Sequence, residues 1–268
     1  MLLTMIKHYL KRIAADKIMI GVYIFLPLGV FLLNVLVMNE NVGGTEHIVD
    51  GFDTFATMAS ISILVMFQLF SSSTIIDYMH LDIIGDRRWR LLAAPTSLGM
   101  YISAATVAAI IFSMISGAIL LAFSVLVFNT YLFTPWVVVL TMFLLSFMAQ
   151  MFGMLLFMFF KKKATTEAII MILGFGMAIG AGHMLGPIDF GVEAVNNFLQ
   201  SQTPYAIAFL AIFYSGNLVA EPGSVGDMLL VAPADGNMQQ VFIYLGILAA
   251  ITAVLTVIVF IVQRRRPL

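Results

Sequence analysis

Residues 77–97 read DYMHLDIIGDRRWRLLAAPTS, and this stretch decides the fold because it is a charged interruption between two long apolar runs. Residues 54–76 before it and 98–128 after it contain no Lys, Arg, Asp or Glu. Each exceeds or matches the run of about 20 apolar residues that crosses a bilayer as a helix. The interruption is therefore a short surface piece joining two spanning helices. Its own pattern predicts a brief amphipathic helix: Asp86 is a good N-cap, and Trp89, Leu92 and Ala93 recur at i, i+3 and i+4. Arg87, Arg88 and Arg90 occupy the other faces, and Pro95 ends the helix.

The whole chain has the same character. Its 268 residues are 62% hydrophobic and 10% charged, with a mean hydropathy of +1.05, whereas soluble domains are only about 45–50% apolar. The expected class is an all-α, polytopic membrane protein forming a single transmembrane domain. There is no cysteine, which excludes disulfides, thiolate nucleophiles and Cys-based metal sites. A basic segment precedes the first apolar run without a small-residue cleavage pattern after it, so that run reads as a retained span.

Working outward, residues 1–17 form an N-terminal helix with Met5, Tyr9 and Ile13 along one side, suited to the membrane interface. The six predicted spans are residues 18–38, 54–76, 98–128, 136–160, 164–185 and 241–262. The first carries Pro27, which a membrane helix tolerates where a neighbour satisfies the freed carbonyl. The third is long enough to be tilted or to project beyond the membrane. Trp136 stands where an interfacial aromatic belongs. Residues 186–240 form a long outer loop. Within it residues 203–214, TPYAIAFLAIFY, are apolar but too short to cross. Thr203 would cap this helix with Pro204 at its first position. Two readings stand for it: an outer lid, or a helix packed across the tops of the spans.

Charge gives the expected orientation. All 13 Lys and Arg fall in four groups: four in residues 1–17, and three each at 87–90, 161–163 and 264–266. Six spans place every group on one side, which the positive-inside rule makes the cytoplasm, with both termini there. The opposite face holds nine of the 14 acidic residues and no basic ones.

Enzyme chemistry finds little support. His8, His47, His80 and His183 are scattered, with no H-E-x-x-H pair for zinc. Ser71, Ser72 and Ser73 have no histidine placed to serve them, and serines in membrane helices commonly bond their own backbone. The glycines at 174, 176, 180 and 182 lack phosphate-loop spacing and read as small-residue helix packing, as from Gly176 to Gly180. Asn34, Gln68 and Gln150 are the notable polar groups in the spans and the candidates for a translocation pathway. Glu167 lies one turn from the basic edge and is expected to snorkel or pair with residues 161–163. No G-x-x-x-x-G-K-[ST] loop is present, so a pump of this kind would draw its energy from another polypeptide. A surface helix at residues 85–92 can pass a push from such a partner into the spans as a rigid-body movement. The same basic segment also suits a simple topological anchor resting on anionic lipid.

Gly85 followed by RWRLLAAPTS at residues 88–97 resembles the cytoplasmic motif of permease subunits of type-two ATP-binding-cassette exporters. Thr203, Pro204, Tyr205 and Ala206 are similar to that family's proline-led segment before the last span. The family often carries an acid just after the glycine-led turn, where Arg87 and Arg88 stand here. The resemblance implies that Gly85, Asp86, Arg87, Arg88, Trp89, Arg90, Leu91 and Leu92 form a coupling helix seated on a separate cytosolic ATPase subunit. It implies that residues 1–17 are a connecting helix, and that Thr203, Pro204 and Tyr205 sit at an outer gate. A second permease chain, identical or sister, would complete the pathway. ATP and Mg would bind the partner, leaving this chain without a cofactor, metal, nucleic-acid partner or catalytic residue of its own. The expected role is export of a hydrophobic or amphiphilic substrate such as a drug, antimicrobial peptide or lipid-like molecule across the cell membrane. The alternative is an ATPase-independent channel, or an immunity or regulatory subunit that binds a peptide.

Overall fold

The computed structural model describes residues 1–42, 48–49, 52–85, 89, 97–131, 133–182, 191–216 and 238–265. Six helices are long and apolar enough to cross a membrane, and the protein is an all-α, multi-pass membrane protein. Helix α1 (Leu2–Ala15) lies outside these spans. The spans are α2 (Lys17–Val37), α3 (Phe55–Ile84), α4 (Gly99–Phe128), α5 (Pro135–Phe160), α6 (Lys163–Gly180) and, after two shorter helices, α9 (Met238–Gln263). The shorter helices are α7 (Glu193–Asn197) and α8 (Pro204–Phe213). Among the described residues, the strand pairing is one two-residue ladder, β1 (Ile48–Val49) against β2 (Phe52–Asp53).

Local chemistry sets the helix ends. Asp16 separates α1 from α2 by accepting from the backbone N–H groups of Ile18 and Met19 at 3.0 and 3.2 Å. Asp53 caps α3 through the N–H of Ala56 at 2.8 Å, and Ser97 caps α4 through that of Met100 at 3.3 Å. Thr203 accepts from Ala206 N–H at 3.2 Å with Pro204 in the first turn of α8, as the sequence predicts. Left-handed residues Asn129 and Lys161 end α4 and α5.

Helix α3 is the axis of the bundle. Its most apolar stretch is 94% buried, against 22% for those of α2 and α9, because α2, α4, α5, α6 and α8 all pack on it. Close approach depends on glycine at two seams. A Cβ on Gly117 of α4 would meet Gln68 Nε2 at 2.7 Å, and one on Gly153 of α5 would meet Ser72 Cβ at 2.7 Å. Gly174 and Gly180 pack as expected, and the Gly176-to-Gly180 pair is corrected at Gly176. Gly174 abuts Phe70 and Gly180 abuts Leu199, whereas Gly176 faces open space. The i,i+4 spacing held a shared face by count alone and gave no information on which glycines a neighbour would approach.

Pro27 behaves as its chemistry requires. A proline cannot donate to the carbonyl four residues back, and the carbonyl of Tyr23 accepts instead from the Ser116 hydroxyl of α4. A π-helical turn, Gly21–Phe25, sits just before the proline.

Helices α5 and α9 run side by side in the same direction. Trp136 meets Phe242 with ring centroids 6.0 Å apart at one end. The Thr252 hydroxyl approaches the Leu144 carbonyl at 3.5 Å midway, and Met154 and Gln263 share a groove at the other end. That groove also takes in Ile102, next to Tyr101. The C-terminal end of α9 thus lies at the same end of the bundle as the start of α4.

Helix α8 does not rest on the bundle surface. Tyr205, Ala206, Ile207, Ala208, Phe209, Ala211, Ile212 and Phe213 are buried, packed against α3, α5, α6 and α9. Its Tyr205 hydroxyl reaches the Ser62 carbonyl of α3 at 3.4 Å.

Candidate functional site

The second span is expected to end at residue 76, with residues 77–97 outside it. Instead α3 continues to Ile84, and its last stretch, Met79–Ile84, is a π-helical turn closed by the Gly85 N–H on the His80 carbonyl at 2.8 Å. Such turns interrupt regular helices and often mark functional positions. The continuation is possible because the polar residues in it find partners. Asp77 forms an ion pair with Lys163 at the start of α6, and Lys163 also approaches Glu167 at 3.9 Å. The expected pairing of Glu167 with the basic edge is thereby observed.

Asp82, within the π turn, is 2% exposed. One of its oxygens, Oδ2, accepts from Arg12 Nη1 at 2.8 Å, from Tyr101 Oη at 2.6 Å and from Tyr9 Oη at 3.5 Å. These donors come from α1 and from the first turn of α4. The Arg12 guanidinium also lies 4.8 Å from the Tyr78 ring centroid, within cation–π range. Tyr9 is held between Tyr78 and Tyr101, with centroids 4.8 and 5.3 Å away. Burial above all, then the hydrogen bond with Tyr101, pushes the Tyr9 hydroxyl well above the ordinary tyrosine range, so it stays a neutral donor. A buried carboxylate needs such partners, since an unpaired one would cost several kcal/mol. The outcome is a three-way joint between α1, the end of α3 and the start of α4.

Gly85 is the exit from this joint. Its φ of −77° is ordinary, but a Cβ there would lie 2.8 Å from the Leu81 carbonyl oxygen and 3.2 Å from that of His80. Glycine is thus required by a close backbone approach. Trp89 is helical and 63% exposed. Asp86, Arg87, Arg88, Arg90, Leu91 and Leu92 lie outside the described residues.

The three polar residues expected along a pathway are not brought to one surface. Gln68 and Gln150 are buried within the chain at 3% and 0% exposure. Gln68 Nε2 donates to the Ser113 carbonyl at 3.0 Å, and the Ser113 hydroxyl donates back to Gln68 Oε1. Gln150 Nε2 donates to the Ser71 carbonyl at 2.9 Å and to its hydroxyl at 3.1 Å. Ser71 interrupts α3 in mid-span, where Tyr23 also donates to the Phe70 carbonyl at 3.0 Å. Both glutamines therefore bind helices together; Tyr23 serves the Phe70 carbonyl, and Gln150 adds a second donor to the Ser71 carbonyl, which already accepts from the Thr74 N–H at 3.1 Å. Asn34 stands further along α2, half-buried, with its side-chain oxygen lacking a hydrogen-bond partner. At the proposed outer gate, Thr203 and Tyr205 are buried at 2% and 0% exposure.

The sequence puts Met5, Tyr9 and Ile13 along one side of α1 as an interfacial face; in the fold Tyr9 and Ile13 of that side are buried and Met5 is half-buried. Sequence reasoning missed Asp82 with Arg12, Tyr78 and Tyr101. The available signal was weak: Tyr9 and Arg12 are three apart, and Tyr78 and Asp82 four apart, so each pair shares a helix face. No family model matches the sequence, and no curated protein matches it.

Proposed function

We propose that the chain is the membrane-spanning subunit of an ATP-driven exporter. Its seat for a separate cytosolic ATPase would be the segment from Gly85 to Leu92, and its home the cell membrane with both termini in the cytoplasm. The observation that carries this reading is the shared carboxylate oxygen of Asp82. Arg12 precedes the segment by way of α1, and Tyr101 follows it on α4; both close on a residue three positions before Gly85. Force delivered to the segment therefore reaches α3 and α4 as one body, with α1 clamped to both. The interruption at Ser71 gives the lower part of α3 a place to pivot.

ATP and Mg would be held by the partner, and a second permease chain would complete the pathway. The cargo class is hydrophobic or amphiphilic, in keeping with a chain that holds 19 Met and 23 Phe. Of the three polar groups named for a pathway, Asn34 and Gln150 each carry a side-chain oxygen without a hydrogen-bond partner, and Asn34 is the one that is not fully buried. The basic groups support cytoplasmic termini, since the contacts of Arg12, Lys163 and α9 gather them at one end of the bundle.

The test is co-purification with a P-loop ATPase followed by transport assays in vesicles. Charge reversal by Arg88→Glu or Arg90→Glu is expected to leave insertion and ATP hydrolysis intact while transport falls at least about tenfold. Full transport by the reversed variants, or by the chain with no hydrolase bound, would overturn the reading.

A further inference from the structure

Helices α4, α5 and α9 enclose a groove of about 610 Å³ that the Asp82 joint does not use. Helices α4 and α9 each pack along α5 but make no extended contact with each other, so α5 becomes the floor of a crevice. Met151 and Met154 line that floor; Val107 and Ile111 form one wall, and Val259 the other. Along α4 the groove runs from Ile102 to Ile115, a length of about 20 Å at 1.5 Å per residue. Apart from Ser103, Thr106, Thr256 and Gln263 its lining is apolar, which suits a hydrocarbon chain lying along it.

A void of this size within hydrocarbon would forfeit dispersion contacts along all its walls, so a chain from the bilayer fills it. The two ends differ in polarity. Ser103 and Gln263 line the groove near the beginning of α4 and the end of α9, and Gln263 is followed in sequence by Arg264, Arg265 and Arg266. Lys161 and Lys162 follow the end of α5 at the same end of the bundle. Clusters of Lys and Arg at a membrane surface attract anionic headgroups.

We propose that this groove is a binding site for an anionic phospholipid of the surrounding bilayer, one acyl chain lying along Met151 and Met154 and the headgroup at the arginine-bearing end of α9. The assignment is independent of the transport reading, because it requires only the membrane and the groove.

The test uses the full chain purified in mild detergent and exchanged into equimolar phosphatidylglycerol and phosphatidylcholine, with retained lipid counted by native mass spectrometry. The unaltered protein is expected to keep phosphatidylglycerol about tenfold in preference. Val107→Trp and Ile111→Trp, made separately at half-open positions, 38% and 37% exposed, should each fill the groove and cut retention about tenfold. Leu126→Trp, at an 83% exposed position outside the groove, should retain lipid unchanged. Arg264→Gln with Arg265→Gln should remove the headgroup preference while a lipid chain stays bound, a readout that does not depend on packing a new tryptophan. Equal retention in the groove-filled and Leu126→Trp proteins would overturn the proposal, as would an absence of headgroup preference in the unaltered chain. Loss of a dimer by the filled variants with lipid retention unchanged would also overturn it and assign the crevice to a second copy.

Discussion

Helix α3 is interrupted twice, and the two interruptions are repaired with different chemistry. At Ser71, in mid-span, the carbonyls of Phe70 and Ser71 accept from a tyrosine hydroxyl and a glutamine amide, the latter beside the Thr74 N–H. At Met79–Ile84 the repair is ionic: Asp82 takes a guanidinium and two hydroxyls. Depth explains the choice. A charge at the middle of a bilayer is costly, whereas a guanidinium near a helix end can keep contact with water. Arg12 does so at 23% side-chain exposure, against 2% for Asp82. The mid-span seam is thus closed and neutral, and the terminal joint is the one that keeps contact with water through Arg12.

The sharpest way to break this contrast is to remove the carboxylate. Asp82→Leu leaves Arg12 without its ion partner and two tyrosine hydroxyls without their acceptor. The expected loss is about 3 kcal/mol of stability, read as a drop in the thermal transition in detergent. Adding Arg12→Met should recover most of it, because an apolar pair of similar size replaces a charge left alone. If the double variant is as unstable as the single one, the joint is held by packing and the ionic account is wrong. Gly85→Ala ranks next. Its methyl group would press on the Leu81 carbonyl at 2.8 Å, and moving that backbone is expected to cost about 1–3 kcal/mol. Limited proteolysis after residue 85 would report it; unaltered cleavage would show that the turn relaxes freely.

The six spans were legible because hydropathy is a property of consecutive residues. The end of α3 was not, since Asp77, His80 and Asp82 look like surface charges until the partners that meet them are known. Those partners lie far off: Arg12 is 70 residues from Asp82, and Tyr101 is 19 residues away, near the start of α4. The same blindness affected Gln68 and Gln150. A polar residue in a span has one appearance in sequence whether it lines a pathway or satisfies a neighbour's carbonyl. Pro27 was the opposite case, because its missing N–H dictates that some neighbour must serve Tyr23, and Ser116 does. Caps were readable for a related reason: Thr203 and Pro204 act within four residues of themselves.

The neutral seam predicts a smaller effect. Gln150→Leu keeps the volume at the α3–α5 seam but removes both donors to Ser71. Because the Ser71 carbonyl keeps the Thr74 N–H at 3.1 Å, losing the glutamine bonds should cost about 0.5–1.5 kcal/mol, and hydrogen exchange at the amides around Ser71 should rise while those near Asp82 stay protected. Exchange rising equally at both places would mean that the two interruptions form one cooperative unit, and the division drawn between them would fail.

The smallest effect expected is at the other end of the contrast, in alkali. Tyr9 titrates above its ordinary value in the folded chain, chiefly because burial disfavours the phenolate and then because Tyr101 and Asp82 surround it. A group whose folded value is raised contributes stability that is complete below the unfolded tyrosine value of about 10 and declines as pH climbs past it. Tyr9→Phe removes that group and the weakest of the three donors, the one at 3.5 Å. Near neutral pH the variant should lose no more than about 1 kcal/mol. Above about pH 10 its stability should fall less steeply than that of the unaltered protein, since one buried proton no longer has to be released. Identical alkaline slopes would place the Tyr9 hydroxyl in contact with water and loosen the joint at the point where α1 enters it.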